Sequence, residues 1–367
     1  MNPSNHIKIA KITQDGYNNY GNTLQRYALQ EYLLGYADTV DSIWHTPNRT
    51  LEKYWKWRKK DYIKFAINYK GFRDKISKGH YAWDYVRRAR FYDFNQKYIN
   101  NVYPTGSLED TVNNYDYFVT GSDQVWNPTY KKLDDGFLTF CPPQKRIAYA
   151  ASIGAAKIPE DQIEYYKNNL RDMHAISVRE DSAGDIIKDL TGKTCQTVLD
   201  PCLCISADKW ADMAETPYWI PDKEYMFSYF LGPTPPEIDN IAAKYGLENI
   251  KVYDKNNFYH ATISPQEWLA LISNAKVIYT DSFHCSVFSM IFRKPFVICD
   301  RIGSENIQQM RTRFDTLFSR FGYSDRFVDS DTNYMVKDPF YVDYSDFQTN
   351  LEKEKQISDN YLNSIFK

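Results

Sequence analysis

The chain has 367 residues, 43% of them hydrophobic, and a formal net charge of −2; that length suffices for two ordinary domains, and the charge balance argues against a general nucleic-acid binder. No run of about 18 apolar residues occurs, which excludes a spanning helix, and the start (MNPSNHIKIAKI) lacks a signal-peptide apolar region, so a cytoplasmic protein is expected. Six cysteines, at 141, 195, 202, 204, 285 and 299, form no CxxC pair, so their spacing supports neither a zinc site nor a disulfide framework.

In chain order, IKIAKI (7–12) reads as a strand, and Thr23 to Tyr36 as a helix with apolar residues at Leu24, Ala28, Tyr32 and Leu33. Between them, Asn19-Tyr20-Gly21-Asn22 reads as a turn with an N-cap, or as a phosphate- or sugar-binding loop after the first strand. A basic-aromatic segment follows: Arg49 to Tyr98 holds 15 Lys or Arg against 5 Asp or Glu, with 14 aromatics. It is expected to be a helical insert. Such a stretch suits a membrane interface rich in anionic lipid, or else an elaboration whose aromatics pack inward while the basic face is solvated. No RNA-binding motif accompanies it.

YDYFVT (115–120) is a strand ending in GSDQVWNP, and RIAYAASI (146–153) a strand ending in a small-residue turn. Glu160 to Met173 is a helix, AISVRE (175–180) a strand, Ser182 to Leu190 a helix, and CQTVLDPCL (195–203) a strand stopped by Pro201. Past a Pro- and Trp-containing stretch (204–223), strands at 225–231, 250–253, 277–280 and 296–299 alternate with helices at 236–245, 265–273 and 285–293. The alternation predicts an α/β protein of two Rossmann-like lobes, with mostly parallel sheets, facing a cleft. The expected units are 1–204, carrying the insert at about 49–98, then 205–345, and a helix within 346–367 able to cap either lobe.

The most telling stretch is VIYTDSFHCSVFSMIFRKP (277–295). A buried strand, a polar capping turn and an apolar helix place His284 at a strand's carboxyl end and in a helix's first turn. Ligands of open α/β sheets bind in that crevice, and helix amino termini favour anions there. The same field disfavours imidazolium, so His284 is expected to be neutral and able to take a proton.

Six segments together, NNYGNTLQRYALQEYL (18–33), DYFVTGSDQVWNP (116–128), RIAYAASIGA (146–155), ISVREDSAG (176–184), VLDP (198–201) and YTDSFHCSVFSMIFRKPFV (279–297), run in an order that resembles the polysaccharide pyruvyl transferase family. The resemblance implies a fold like the two-lobed GT-B glycosyltransferases. It also implies transfer of a pyruvyl group from phosphoenolpyruvate, as co-substrate, onto two sugar hydroxyls of a surface-polysaccharide precursor, forming a cyclic ketal and releasing phosphate. That chemistry requires neither a further cofactor nor a metal. A residue cycling between acid and base forms suits enol protonation and hydroxyl deprotonation, and His284 matches the family's acid/base histidine. Arg179 matches an arginine that holds the donor's anionic groups.

Ser282, itself placed among the donor-binding residues, stands where some members carry a second arginine. Arg293, Lys294, Arg301, Arg311 and Arg313 are the candidates to supply that charge, Arg313 before the others and Lys294 with it in the donor set. Asn19, Tyr20, Asn22, Ser122, Asp123 and Gln124 are acceptor candidates, with Trp126 either stacking on a pyranose or filling the core of a turn. The acceptor is expected to be an oligosaccharide, of the lipid-diphosphate-linked kind if the insert touches the membrane's inner face. A nucleotide-sugar glycosyltransferase of similar fold and a non-catalytic glycan-binding family member are the competing readings.

Overall fold

Five of the strand runs read from the sequence pair side by side in the computed structural model, which describes residues 6–14, 19–44, 81–130, 133–302 and 307–367. They are β1 (Lys8–Ile12), β4 (Tyr117–Thr120), β5 (Arg146–Ala151), β6 (Ala175–Val178) and β7 (Gln196–Thr197). Two strands not read from the sequence, β2 (Thr39–Ile43) and β3 (Asn101–Val102), extend the edge. The order is β3-β2-β1-β4-β5-β6-β7, parallel throughout. β5 is buried at every position, as expected for a strand covered on both faces. β2 escaped notice because TVDSI places Asp41 and Ser42 inside the run; Ser42 Oγ accepts from Lys11 Nζ and Arg26 Nε, each at 2.8 Å.

The second sheet is also parallel, in the order β12-β11-β10-β8-β9. It comprises β8 (Tyr225–Tyr229), β9 (Glu248–Lys251), β10 (Val277–Thr280), β11 (Phe296–Cys299) and β12 (Phe327–Val328). In both sheets the first strand is flanked on opposite sides by later ones, giving switch points at β1/β4 and β8/β10 where binding crevices form.

The helices are α1 (Tyr20–Leu33), α2 (Tyr81–Tyr98), α3 (Leu133–Gly136), α4 (Ile163–Arg171), α5 (Asp181–Thr191), α6 (Pro201–Cys204) and α7 (Ala207–Met213) in the first half. In the second half they are α8 (Glu237–Lys244), α9 (Phe258–Ala261), α10 (Pro265–Asn274), α11 (Phe283–Ile291), α12 (Ile307–Phe321) and α13 (Phe347–Phe366). Of the expected helical insert, 81–98 forms α2, and 49–80 lies outside the described residues. The strand expected over 195–203 is cut short because Asp200 N-caps α6 and Pro201 occupies its first position; Pro there starts a helix rather than merely ending a strand. The stretch at 204–223 holds α7, whose Trp210 is fully buried.

The lobes share one apolar core. Tyr20, Leu24 and Ala28 of α1 join Trp268 of α10 and Phe288 of α11 in a single cluster. α13 returns across both lobes. Tyr361 donates to the Ala148 carbonyl at 2.8 Å, and Leu199 N to Ser358 Oγ at 3.0 Å. Toward the second lobe, Phe347 packs on Phe321 and Arg320 pairs with Glu354. α2 also bridges, since Arg87 donates to the Ala261 carbonyl at 3.2 Å and Arg90 pairs with Glu267.

Candidate functional site

The capping turn after β10 forms as expected. Ser282 is the N-cap of α11, its hydroxyl accepting from Cys285 N at 3.4 Å. That use explains a serine here: it caps the start of the helix and brings no charge. His284 follows in the first turn, 5% exposed. Its Nδ1 edge faces Gly21 at the start of α1, where an added Cβ would lie 2.4 Å from Nδ1. Glycine is therefore what lets α1 approach the ring. Its Nε2 lies 3.4 Å from Asp200 Oδ2, an ion-pair distance without an aligned hydrogen bond. The Asp200 carboxylate, which the sequence did not single out, thus stands beside the ring.

Asp200 is the hub. Its Oδ2 also accepts from Arg179 Nη1 at 2.8 Å and Ser122 Oγ at 3.2 Å, while Oδ1 accepts from Cys202 N at 3.0 Å. Burial pushes its carboxyl up, but His284, Arg179 and the Cys202 N–H outweigh burial and hold it well below the usual carboxylate range. Asp200 reaches this place because β7 ends beside β6, putting the Asp-Pro cap next to the end of the strand that carries Arg179.

Arg179 is 5% exposed. Besides Asp200 it meets Asp123 Oδ1 at 3.4 Å and Glu180 Oε2 at 3.9 Å, and its Cζ lies 4.5 Å from the Phe283 ring centroid. Burial opposes its charge, yet these carboxylates hold the guanidinium above its ordinary value. Glu180 is itself fixed in the turn after β5: Oε1 accepts from Ser152 Oγ, Ile153 N and Gly154 N at 2.8, 3.0 and 3.1 Å. Asp123 sits at φ +65°, just past β4.

Arg313, from α12, is brought to the same place. Its Cζ is 5.9 Å from the Phe283 ring, and burial with the nearby Arg179 lowers its guanidinium to about 10. Arg301 is committed to Asp281, whose carboxylate also takes Leu231 N and Gly232 N. Lys294 belongs elsewhere. It lies three residues beyond the carboxyl end of α11 (Phe283–Ile291), whereas His284 is in the first turn, and its carbonyl accepts from Tyr344 OH at 2.7 Å. The expectation that it binds donor is set aside, since the helix separates it from the ring. Arg293 points to Gln348 and is exposed; the Arg311 side chain lies outside the described residues.

The acceptor candidates divide. Ser122 and Asp123 line the Arg179–Asp200 cluster. Asn19 caps α1 by accepting from Asn22 N at 3.2 Å. Tyr20 is fully buried, stacks on Trp268 at 5.3 Å and donates to the Ile263 carbonyl, so it packs the lobes together. Trp126 is likewise a core residue: it is fully buried, stacks on Phe137 and donates to the Gly136 carbonyl at 2.8 Å, leaving no face for a pyranose. Gln124 accepts from Asn127 and from Tyr130, which stands 41% exposed at the rim.

Asp200, Cys202 and His284 hold three ligand-type atoms within 4.8 Å of one another. The Arg179 guanidinium already occupies the same carboxylate oxygen, and burial with Asp200 pushes the Cys202 thiol well up. Both disfavour a divalent cation and suit the cluster to moving protons and holding anions.

Residues 19–302 match the family model described as polysaccharide pyruvyl transferase. Among solved structures, UDP-GlcNAc 2-epimerase from Neisseria meningitidis, bound to UDP-GlcNAc, is 10% identical, with 98% of this chain and 100% of that one covered and a TM-score of 0.49. An uncharacterized protein from Klebsiella pneumoniae is 16% identical, covering 68% of this chain and 88% of that one, with a TM-score of 0.40. The glycosyltransferase SnogD from Streptomyces nogalater is 10% identical over 98% of this chain and 97% of that one, with a TM-score of 0.42. No curated protein matches the chain.

Proposed function

The chain belongs to the polysaccharide pyruvyl transferase family, and from that premise we propose that it forms a cyclic pyruvate ketal on a sugar of a glycan precursor, taking the pyruvyl group from phosphoenolpyruvate and releasing phosphate. The observation that carries this reading is the buried Arg179–Asp200–His284 chain, which joins both lobes at the carboxyl ends of their strands. Arg179 and Arg313 flank Phe283 and supply fixed positive charge for a ligand with a carboxylate and a phosphate. His284, with Asp200 Oδ2 3.4 Å from its Nε2, takes the proton of the attacking hydroxyl and delivers it to C3 of the enol. The hydroxyl oxygen bonds C2 as C3 becomes a methyl group. The second hydroxyl then displaces phosphate from C2, and its proton leaves with the phosphate. Asp200 stabilises the transient imidazolium.

The acceptor in this reading is an oligosaccharide, and a lipid-diphosphate carrier would present it at the membrane's inner face. Among the described residues no helix is long and apolar enough to cross a membrane.

Thermal protection by phosphoenolpyruvate tests the donor assignment without knowledge of the acceptor. At 100 times its dissociation constant the ligand should stabilise the wild-type chain by about 2.7 kcal/mol. The gain should shrink in Arg179→Lys, which keeps charge but loses the planar fork, and in Arg313→Gln. Arg179→Ala is a poorer choice, because it strands Asp123, Glu180 and Asp200 without their cation. Protection by a UDP- or GDP-sugar alone would replace the reading with a glycosyltransferase; protection by none of these ligands would favour a glycan-binding protein without catalysis.

Gly21→Ala gives an independent check. The added methyl overlaps Nδ1, Cγ and Cβ of His284, so the ring must leave its position beside Asp200 Oδ2 or α1 must shift. Transfer activity is expected to fall at least about tenfold, with stability lowered by about 1–3 kcal/mol as for other overpacked sites. Activity and urea midpoint measured together check this, and full activity would mean the ring's position is not critical.

A further inference from the structure

A cleft of about 760 Å³ opens between the end of α12, residues 337–346 and the first turns of α13, within the size range of small-molecule sites. Arg326 lines it and is 4% exposed. Its Nε donates to the Phe296 carbonyl at 2.9 Å, and its Nη1 to the carbonyls of Asp338 and Tyr341 at 3.1 and 3.2 Å. Phe296 opens β11, so the cleft lies at the amino end of the second sheet. His284 stands across the lobe, past the carboxyl end of β10.

Arg326 Nη2 has no hydrogen-bond partner among the described residues. Burial lowers the guanidinium from its ordinary value, and the nearby Asp325 does not offset this. Three carbonyls therefore orient a buried cation without neutralising it, an arrangement that is costly until an anion joins it. The rest of the lining limits what that anion can be. Tyr341, whose carbonyl holds Nη1, is 64% exposed. Asp338 and Asp343 each accept a backbone N–H, from Phe340 and Ser345, at 2.8 and 2.9 Å. Asp346 starts α13 with its carboxylate taking none of the helix's N–H groups. Apart from the paired Arg320 and Glu354, four aspartates face three cations around the cleft.

We propose that this cleft binds a saccharide bearing one carboxylate, which pairs with Arg326 while the apolar face of the pyranose lies on Tyr341 and its hydroxyls donate to the aspartates. Carboxylates accept from hydroxyls and repel added negative charge, so a phosphate or nucleotide is disfavoured. A neutral sugar would use Tyr341 and the aspartates but leave Arg326 without an anion. A single carboxylate meets the one buried cation, and Arg grips it through two nitrogens. Two sources carry that chemistry, a hexuronic acid and a sugar with a pyruvate ketal. Only the second touches the pyruvyl-transfer reading; the cleft itself stands apart from it.

Ligand-observed NMR titration of the full chain tests it. The probes are methyl glucuronide and the pyruvate ketal of methyl galactoside, with methyl glucoside as the neutral control. The wild type is expected to bind an acidic probe at millimolar concentration, about tenfold more tightly than the glucoside. The tighter acidic probe names the source of the carboxylate. Arg326→Gln and Tyr341→Ala should each weaken that binding by about tenfold or more. Arg326 also ties three carbonyls together, so thermal melts check its variant; Tyr341→Ala removes only an exposed ring and carries the test if Arg326→Gln fails to fold. Binding of neither acidic probe by the wild type overturns the proposal, as does equal binding of the glucoside or wild-type affinity in Tyr341→Ala. Acidic-probe binding should survive in Arg179→Lys; its loss there would put the ligand in the Asp200 cluster, and the proposal falls. Protection by phosphoenolpyruvate reads the donor site separately, so either reading can fail without the other.

Discussion

Asp200→Ala should destabilise the protein by about 3–5 kcal/mol and abolish transfer, the penalty expected when one partner of a buried charge cluster is removed. Asp200 is 2% exposed, accepts from Arg179, Ser122 and the Cys202 N–H, and lies 3.4 Å from the His284 Nε2. Without it, Arg179 faces His284 with no anion between them. Asp200→Asn removes the charge at nearly constant volume and separates charge from packing. Its pH dependence has a definite sign. The folded carboxyl lies well below its usual range, so its contribution is fully present above the unfolded value of about 3.9 and is lost as pH falls toward the folded value. Urea unfolding of wild type and Asp200→Asn should therefore show a gap that is constant above about pH 5 and narrows below about pH 4. A gap unchanged down to about pH 3 would show that the carboxylate's charge is not what stabilises the site.

The same residue shows where the sequence could be read and where it could not. Strands such as Val277–Thr280 and Phe296–Cys299 are continuous apolar runs, and the structure has them at those bounds. Periodicity registers such runs because burial on both faces leaves no polar position. Thr39–Ile43 was illegible because its Ser42 is a buried anchor for two cations, a role defined only by residues distant in the chain. Asp200 was visible in VLDP as a residue before proline, but its partners come from the ends of two other strands and from the opposite lobe. Its signal was the Asp-Pro cap itself, which could have been read as a helix start at a strand's carboxyl end. Trp126 misled for the converse reason: a Trp in a polar turn looks like a sugar platform until Phe137 and Gly136 are seen to enclose it. Lys294 was close to His284 in sequence, and the helix between them made that nearness irrelevant.

His284→Gln is expected to behave in the opposite way to the Asp200 variants. Removing the hub orphans several groups, whereas removing His284 leaves Asp200 bonded to Arg179, Ser122 and Cys202 N. The urea midpoint and protection by phosphoenolpyruvate should therefore persist, while kcat falls by about 10²- to 10⁴-fold, the usual contribution of a general acid–base group. Loss of KM alone, with kcat intact, would make His284 a binding residue. His284→Ala sharpens the test, because it opens space against Gly21. Added imidazole should then recover part of the activity if proton transfer is what was lost. The same space predicts non-additivity. Gly21→Ala acts by displacing the ring, so it should cost activity in the wild type and nothing further in the His284→Ala background, giving a coupling term as large as its own single effect. Additive losses would mean that Gly21 matters through the backbone of α1 rather than through the imidazole it accommodates.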